Sequence, residues 1–357
     1  MTATRPIEVE LTLTPRFRYD GIDVAARLRE EHEDVLSRYP RALYCSFHTT
    51  AGYLEQSLSS RLDNRRERLD PFIRAFQRLF PPDAAYRHDR LDLRDELSEE
   101  ERKVEPKNAD SHLAFIGSGL RNCVTYTNRA AEPVYFIDLD GVSGGRARTR
   151  RTRVVAYRQA RVVERARCEV PVSRHPIDSI NLADPRIGLL VRANALISQH
   201  GIGKGRVDIA LDAAERDAGV TVNEYESLLM RHDLAEVLAD PLKFAARTGK
   251  RMLSDPRAIP AKSLGYAKYD MVHVLNELMD ALKVSESALE RLLARVMAVP
   301  ASRFLRMKRR VSLLVSDAHA PGEGAVIQGR YQNPILVQWA ATPRRSRVVE
   351  LTLTSFQ

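Results

Sequence analysis

A chain of 357 residues, 44% of them hydrophobic, is long enough for two domains that each bury a core. No apolar run reaches the ~20 residues that a membrane-spanning helix needs, and the N-terminus lacks a signal-peptide pattern, so a cytoplasmic protein without a membrane partner is expected. Three cysteines with no CxxC pair point to neither a disulfide framework nor a cysteine metal site, and 56 Lys+Arg against 47 Asp+Glu, a net charge of +9, favour anionic partners.

The first half begins with "IEVELTLTP", whose alternation from Ile7 to Leu13 predicts a half-buried strand. A helix is expected after Asp23, a good N-cap, with Val24, Leu28, Val35 and Leu36 near one face. "ALYCSF" reads as a strand that stops at His48. "LDPFIRAFQRLF" predicts an amphipathic helix with Pro71 in its first turn and Phe72, Ile73, Phe76 and Phe80 inward. Residues 89–107 are densely charged and read as a solvated loop or helix. "SHLAFIGSG", "RNCVTYT" and "PVYFIDLDG" then read as three short β runs, followed by the basic stretch "RARTRRTRVVAYR".

The pattern restarts at Cys168. "CEVPVSRHPIDSINL" is strand-like, "GLLVRANALISQHGIGKG" predicts a helix ending at its glycines, and "RVDIALDAAERDAGVTVNE" repeats the strand and turn. "YESLLMRHDLAEVLAD" predicts the next helix. "RRVSLLVSDAH", "GAVIQGRYQ" and "NPILVQWAATPRRSRVVELTLT" repeat the three β runs with basic residues after the third. "EPVYFIDLDG" falls opposite "NPILVQWAAT", Glu215 opposite His48, and Arg310 opposite His112. The expectation is a tandem duplication, residues 1–165 and 166–357, with a helical insertion at about 236–309 in the second copy. Inside that insertion, residues 267–310 carry the outline of a helix-turn-helix.

Three histidines stand at the ends of predicted elements: His48 in "SFHTT", His88 in "AYRHD" and His112 in "NADSHL". Imidazole is the commonest protein metal ligand, and three of them with an open position suit a zinc-like ion. Asn108 and Asp110 beside His112, and Asp89 beside His88, are placed to orient an imidazole or to bind a ligand. Arg146, Arg148, Arg150 and Arg151 suit phosphate; the same run also reads as a solvated strand edge.

In this order, "FHTTAG", "YRHD", "N-x-D-x-HL", "FIGSG" and "FIDLDG" with an arginine-rich strand resemble the YjbQ-like family, over residues 5–160. The resemblance implies an α+β fold: two antiparallel β-sandwich modules with flanking helices, the second carrying the insertion. It also implies a trimeric homo-oligomer and a divalent metal, zinc or magnesium. His48, Thr49, His88, Asn108 and His112 match family positions, and Asp110 stands where many members have another histidine. Two departures matter. The "TINEN"-like segment after "HTTAG" is here "YLEQSLSSRLD", and Ala131-Glu132 stand where the family tends to have "WQ". The second half supplies Asn223 and Glu224 in the expected register, and Tyr331-Gln332. Two readings follow: one composite pocket across the halves, or a structural second copy beside a weakened first site.

For the composite pocket the expected set is His48, His112, Asp110 and Glu224 for catalysis, and His48, His88 and His112 for metal. Thr49, Asn108, Asn223, Arg146 and Gln332 are expected to bind substrate. The family's activity implies a transferase that joins a pyrimidine methyl diphosphate to a thiazole phosphate and expels pyrophosphate, as in secondary thiamine-phosphate synthase. From the residues alone the claim is narrower, a pocket for a metal or a phosphorylated small molecule. Two other classes stay open: a non-catalytic protein binding nucleic acid or another protein through its basic surface, and a metal-dependent hydrolase with Glu224 or Asp110 as base.

Overall fold

The alternating stretch Ile7–Leu13 is a strand, as its period requires, and it lies beside Arg150–Tyr157 in an antiparallel pairing that sets Ile7 opposite Ala156. The computed structural model describes residues 5–32, 35–239 and 307–357. Apart from its first and last few residues, the helical segment expected at 236–309 lies outside the described residues, and so does most of the helix-turn-helix outline at 267–310. Two compact units emerge, each assembled from distant stretches of chain. One takes the described residues of 1–58, 119–225 and 307–357, the other those of 59–118 and 226–306. The chain is α+β, and its strand pairings are antiparallel. No helix among the described residues is long and apolar enough to cross a membrane.

The first unit holds two principal sheets. One runs in the order Ile7–Leu13, Arg150–Tyr157, Arg41–Ser46, Cys123–Thr127. The other runs Ala160–Pro171, Ser346–Phe356, Gly205–Leu211, Arg310–Ser316, with Ala325–Ile327 added at the edge. In both, the last strand of the stretch lies second, between the opening strand and the one after the helix. Two smaller sheets repeat the likeness: Asp20–Asp23, Tyr135–Asp138, Ala51–Gly52, and Asp178–Asn181, Asn333–Gln338, Ala218–Asn223. Residue 165 falls inside the continuous strand Ala160–Pro171.

Each large sheet covers a helix on one face. Asp23 caps Val24–Glu31 by accepting the Ala26 N–H, a contact worth about 1 kcal/mol. Val24, Ala25 and Leu28 then pack on Leu11, Tyr44 and Val154. Leu189, Ala193 and Ile197 of the helix Leu189–Gln199 pack on Val207, Ile209 and Leu351. The period of two sends Leu43, Cys45, Val155 and Tyr157 to the opposite face, where they meet Leu314 and Phe356 of the second sheet. Tyr157 and Phe356 stack there, centroids 3.9 Å apart. Cys45 and Cys123, opposite each other in adjacent strands, are free thiols with sulfurs 2.8 Å apart.

Four expectations are corrected. "SHLAFIGSG" is not a β run; it belongs to a helix, Ala109–Ser118, buried at all ten positions. A wholly buried helix has no polar face, so its apolar run carries no period to separate it from a buried strand. The helix around Pro71 begins at Arg66, which puts the proline in its interior, while Phe72, Ile73, Phe76 and Phe80 are buried as expected. The arginine-rich strand Arg150–Tyr157 is central rather than an edge. Arg310 opens a strand that holds the sheet position of Cys123–Thr127, so it is no counterpart of His112.

Candidate functional site

His88 and His112 belong to the second unit, where separate elements bring them together. His112 sits in the second turn of the buried helix Ala109–Ser118, not at a strand edge. That helix starts where Asn108 accepts the N–H groups of Ser111 and His112 on its carbonyl. The Asp89 carboxylate accepts the Ala109 N–H at 3.0 Å, satisfying a donor that a helix N-terminus leaves open. His88, one residue earlier than this cap, is thereby fixed to the helix that carries His112. The two rings meet edge-on, with centroids 5.3 Å apart and planes at 79°. A ring nitrogen of one lies within 4.8 Å of a ring nitrogen of the other, and both Nε2 atoms are buried. Asp110 and Asn108 are also buried, and Ser111 Oγ donates to Asp110 at 3.5 Å.

A third element supports the pair. Near residue 229 the helix widens into a π turn, Leu229–Asp233, before Leu234–Ala239 continues it; such turns recur at functional sites. Asp233 at the end of the turn accepts the N–H groups of Arg87 and His88, both at 2.9 Å. Glu226 accepts from Leu228 and Leu229 N–H at the helix start and from His88 Nδ1 at 2.9 Å. Burial pushes the Glu226 carboxyl up, but its bonds from His88 and the two backbone N–H groups outweigh this and leave it below the usual range. An ionised Glu226 holds a proton on His88 Nδ1, which puts the ring's lone pair on Nε2, the nitrogen that could serve a metal ion. Asp233 is the opposite case, pushed up to about 6 by burial despite its backbone donors.

His48 lies in the first unit and is engaged otherwise. Its Nε2 accepts the Arg151 N–H at 2.8 Å, so the lone pair a metal would need is already committed. Burial, then the charges of Arg150, Arg151 and Arg148, push its pKa down to about 3. Arg150 is itself buried against Asp138, at 2.6 and 2.8 Å, and donates to the Asp140 carbonyl. Arg148 pairs with Asp140. Arg146 is exposed in a two-residue strand.

The residues expected from the second half meet the His48 loop, but through its main chain. Gln332 Nε2 donates to the carbonyls of Ser46 and His48, both at 2.9 Å, and its Oε1 accepts Gly329 N–H. Glycine at 329 is required, since a Cβ there would stand 1.9 Å from the Phe47 carbonyl oxygen. Asn223 donates to the Thr49 carbonyl at 3.2 Å and accepts the Glu224 N–H. Thus His48, Thr49, Asn223 and Gln332 form one hydrogen-bonded group, while His88, His112, Asn108 and Asp110 form another in the second unit. Glu226 and Asp233 escaped the sequence reading. Their partner His88 is 138 and 145 residues away, and the one local signal was an acid placed to cap the helix after Asn223-Glu224.

No protein-family model and no curated protein matches the chain. Solved structures do. A YbjQ-like protein of unknown function from Sulfolobus solfataricus P2 is 16% identical, with a TM-score of 0.29, over 55% of this chain and 99% of that one. A hypothetical protein from Aeropyrum pernix K1 is 15% identical, TM-score 0.29, over 54% and 98%. An uncharacterised conserved protein of the YjbQ family from Clostridium acetobutylicum is 12% identical, TM-score 0.27, over 53% and 98%. The chain is similar to YjbQ-like proteins.

Proposed function

We propose that this YjbQ-like chain binds a divalent metal ion through His88 and His112 and acts on a phosphorylated small molecule. One observation carries the reading: two buried imidazoles stand close enough to share an ion, and a carboxylate fixes the tautomer of one. Histidine ligands that donate their second nitrogen to a carboxylate are the usual form of such sites. Two nitrogen donors suit zinc better than magnesium, which prefers oxygen. When bound, the ion would polarise a phosphoryl oxygen or acidify a water. The protein's own part is to keep the proton on His88 Nδ1 through Glu226, to hold the His88 main chain through Asp233, and to exclude solvent by burial. Asp110, buried two residues before His112 on the same helix, remains the acid or base that the sequence suggests.

The reaction implied by the resemblance is transfer of a pyrimidine methyl group to a thiazole phosphate with loss of pyrophosphate; hydrolysis by a metal-activated water would use the same ligands. A trimer is the oligomer it implies. The tandem duplication is supported by the matching strand orders of the two large and two small sheets.

The test is metal content and affinity of the full chain equilibrated with zinc or magnesium. His88→Ala and His112→Ala should abolish binding, and Glu226→Gln should weaken it about 10–100-fold. His48→Ala should leave it intact. Full affinity in His88→Ala and His112→Ala would refute the site.

A further inference from the structure

At the end of strand Arg41–Ser46 away from His48, the first unit contains a cavity of about 630 Å³, within the range of small-molecule sites. None of its lining residues belongs to the unit that carries His88 and His112. Its inner wall is apolar and aromatic, with Ala25, Leu36, Tyr44, Tyr126 and Val134. Its mouth carries four guanidinium groups, from Arg29, Arg38, Arg129 and Arg158, against one lining carboxylate, Glu132. Arg129 is 3.7 Å from Glu132 and Arg29 is 4.0 Å from Asp23. Arg38 and Arg158 make no ion pair among the described residues. The wall is held in place by Asn128, whose amide donates to the carbonyls of Leu36 and Tyr39.

Tyr44 is the second observation. Its neighbours among the buried tyrosines are satisfied: Tyr39 donates to the Arg5 carbonyl, Tyr126 to the Leu54 carbonyl, and Tyr53 bonds Thr152. Tyr44 is 1% exposed and lines the cavity, yet its hydroxyl makes no hydrogen bond among the described residues. Buried tyrosine hydroxyls find partners as a rule. Burial, with Tyr126 and Asp23 adding to it, pushes its pKa up, so the group stays a donor.

We propose that this cavity binds a phosphate monoester borne on a planar ring. The ring lies against the apolar wall, the Tyr44 hydroxyl donates to the ligand, and Arg38 and Arg158 bind the phosphate. Guanidinium matches phosphate in charge and geometry, and the aromatic wall supplies apolar area that a free anion would not use. The site goes beyond the metal reading and stands without it.

The experiment is calorimetric titration of the full chain with adenosine 5′-monophosphate, uridine 5′-monophosphate, thiamine monophosphate and pyridoxine 5′-phosphate. Adenosine and inorganic phosphate serve as controls that each lack one half of the ligand. At least one monoester should bind well above both controls. Arg38→Ala with Arg158→Ala should weaken it roughly tenfold or more, as loss of charge-assisted bonds does. Tyr44→Phe, which keeps the ring packing, should weaken it about 3–10-fold. The titrations are run on chain freed of metal by a chelator, and His112→Ala reports any binding that takes place at the metal site instead. If no monoester outbinds the controls, or if the arginine variants bind as the wild type does, the proposal fails. Binding lost in His112→Ala but kept in the arginine variants would likewise overturn it, by placing the ligand at the metal site.

Discussion

The loop of His48 and the loop of Glu215 make the same contacts with different chemistry. In the first, His48 accepts the N–H of Arg151, and the preceding Arg150 is neutralised by Asp138 and donates to the Asp140 carbonyl at 2.7 Å. In the second, Glu215 accepts the N–H of Val348 at 2.9 Å, and the preceding Arg347 bonds Gln338 and donates to the Ala340 carbonyl at 2.7 Å. Arg347 is neutralised by Glu215 itself, at 3.0 Å. Each latch therefore holds one buried guanidinium and one carboxylate. The carboxylate sits on the small-sheet strand in the first and on the loop in the second. Glutamate at 215 is thus no damaged histidine. It relocates a counter-charge, and a neutral Gln338 stands where Asp138 would have doubled it. The comparison also assigns His48 a structural task that needs no metal.

The largest effect expected from this comparison comes from the arginines. Arg150→Ala leaves Asp138 buried without its partner, and Arg347→Ala does the same to Glu215. Breaking a buried pair from one side costs about 3–5 kcal/mol, and all four side chains are at most 5% exposed. Chemical denaturation of each variant should show comparable losses. A loss below about 1 kcal/mol in one variant alone would mean that the two latches do not carry equal weight.

A smaller effect tests the relocation directly. His48→Glu adds a second carboxylate beside Arg150, and Asp138→Gln removes the original one; each alone unbalances the latch. Together they write the second latch into the first. The double variant should be more stable than the sum of the single losses predicts, by about 1–3 kcal/mol, the range for directly coupled residues. Additive losses would show that the resemblance of the contacts hides different energetics.

Much of this was legible because the signals are local. The cap at Asp23, the alternation of Ile7–Leu13 and the shared outline of the His48 and Glu215 runs are all readable within a few residues. What stayed hidden depends on contacts distant in sequence. Arg150 reads as a solvated edge until its strand is seen between Ile7–Leu13 and Arg41–Ser46. Cys45 and Cys123 read as scattered until strand pairing sets them opposite each other. Glu226 reads as a helix cap until His88 donates to it. His112 was recognised as a candidate, yet on the wrong element, because burial on every side erases helical periodicity.

The smallest expected effect separates the latches by pH, since the first contains an imidazole and the second does not. His48 falls from the ordinary histidine value to about 3 in the folded chain. A depressed folded value contributes stability above the unfolded pKa near 6.5 and loses it as pH falls toward 3, because the unfolded chain takes up the proton first. Between pH 6.5 and 5.5 this amounts to at most about 1 kcal/mol for one group, less for its partial exposure. Asp233 has the opposite sign: raised to about 6, it adds stability as pH falls from about 6 toward the ordinary carboxyl value. Whole-protein pH curves mix the two, so the measurement is the difference between wild type and His48→Gln, which can still accept the Arg151 N–H. That difference should shrink as pH falls from 6.5 to 5.5. If it stays constant, His48 keeps its proton affinity in the folded chain, and the account of its ring as a neutral acceptor for a backbone N–H is wrong.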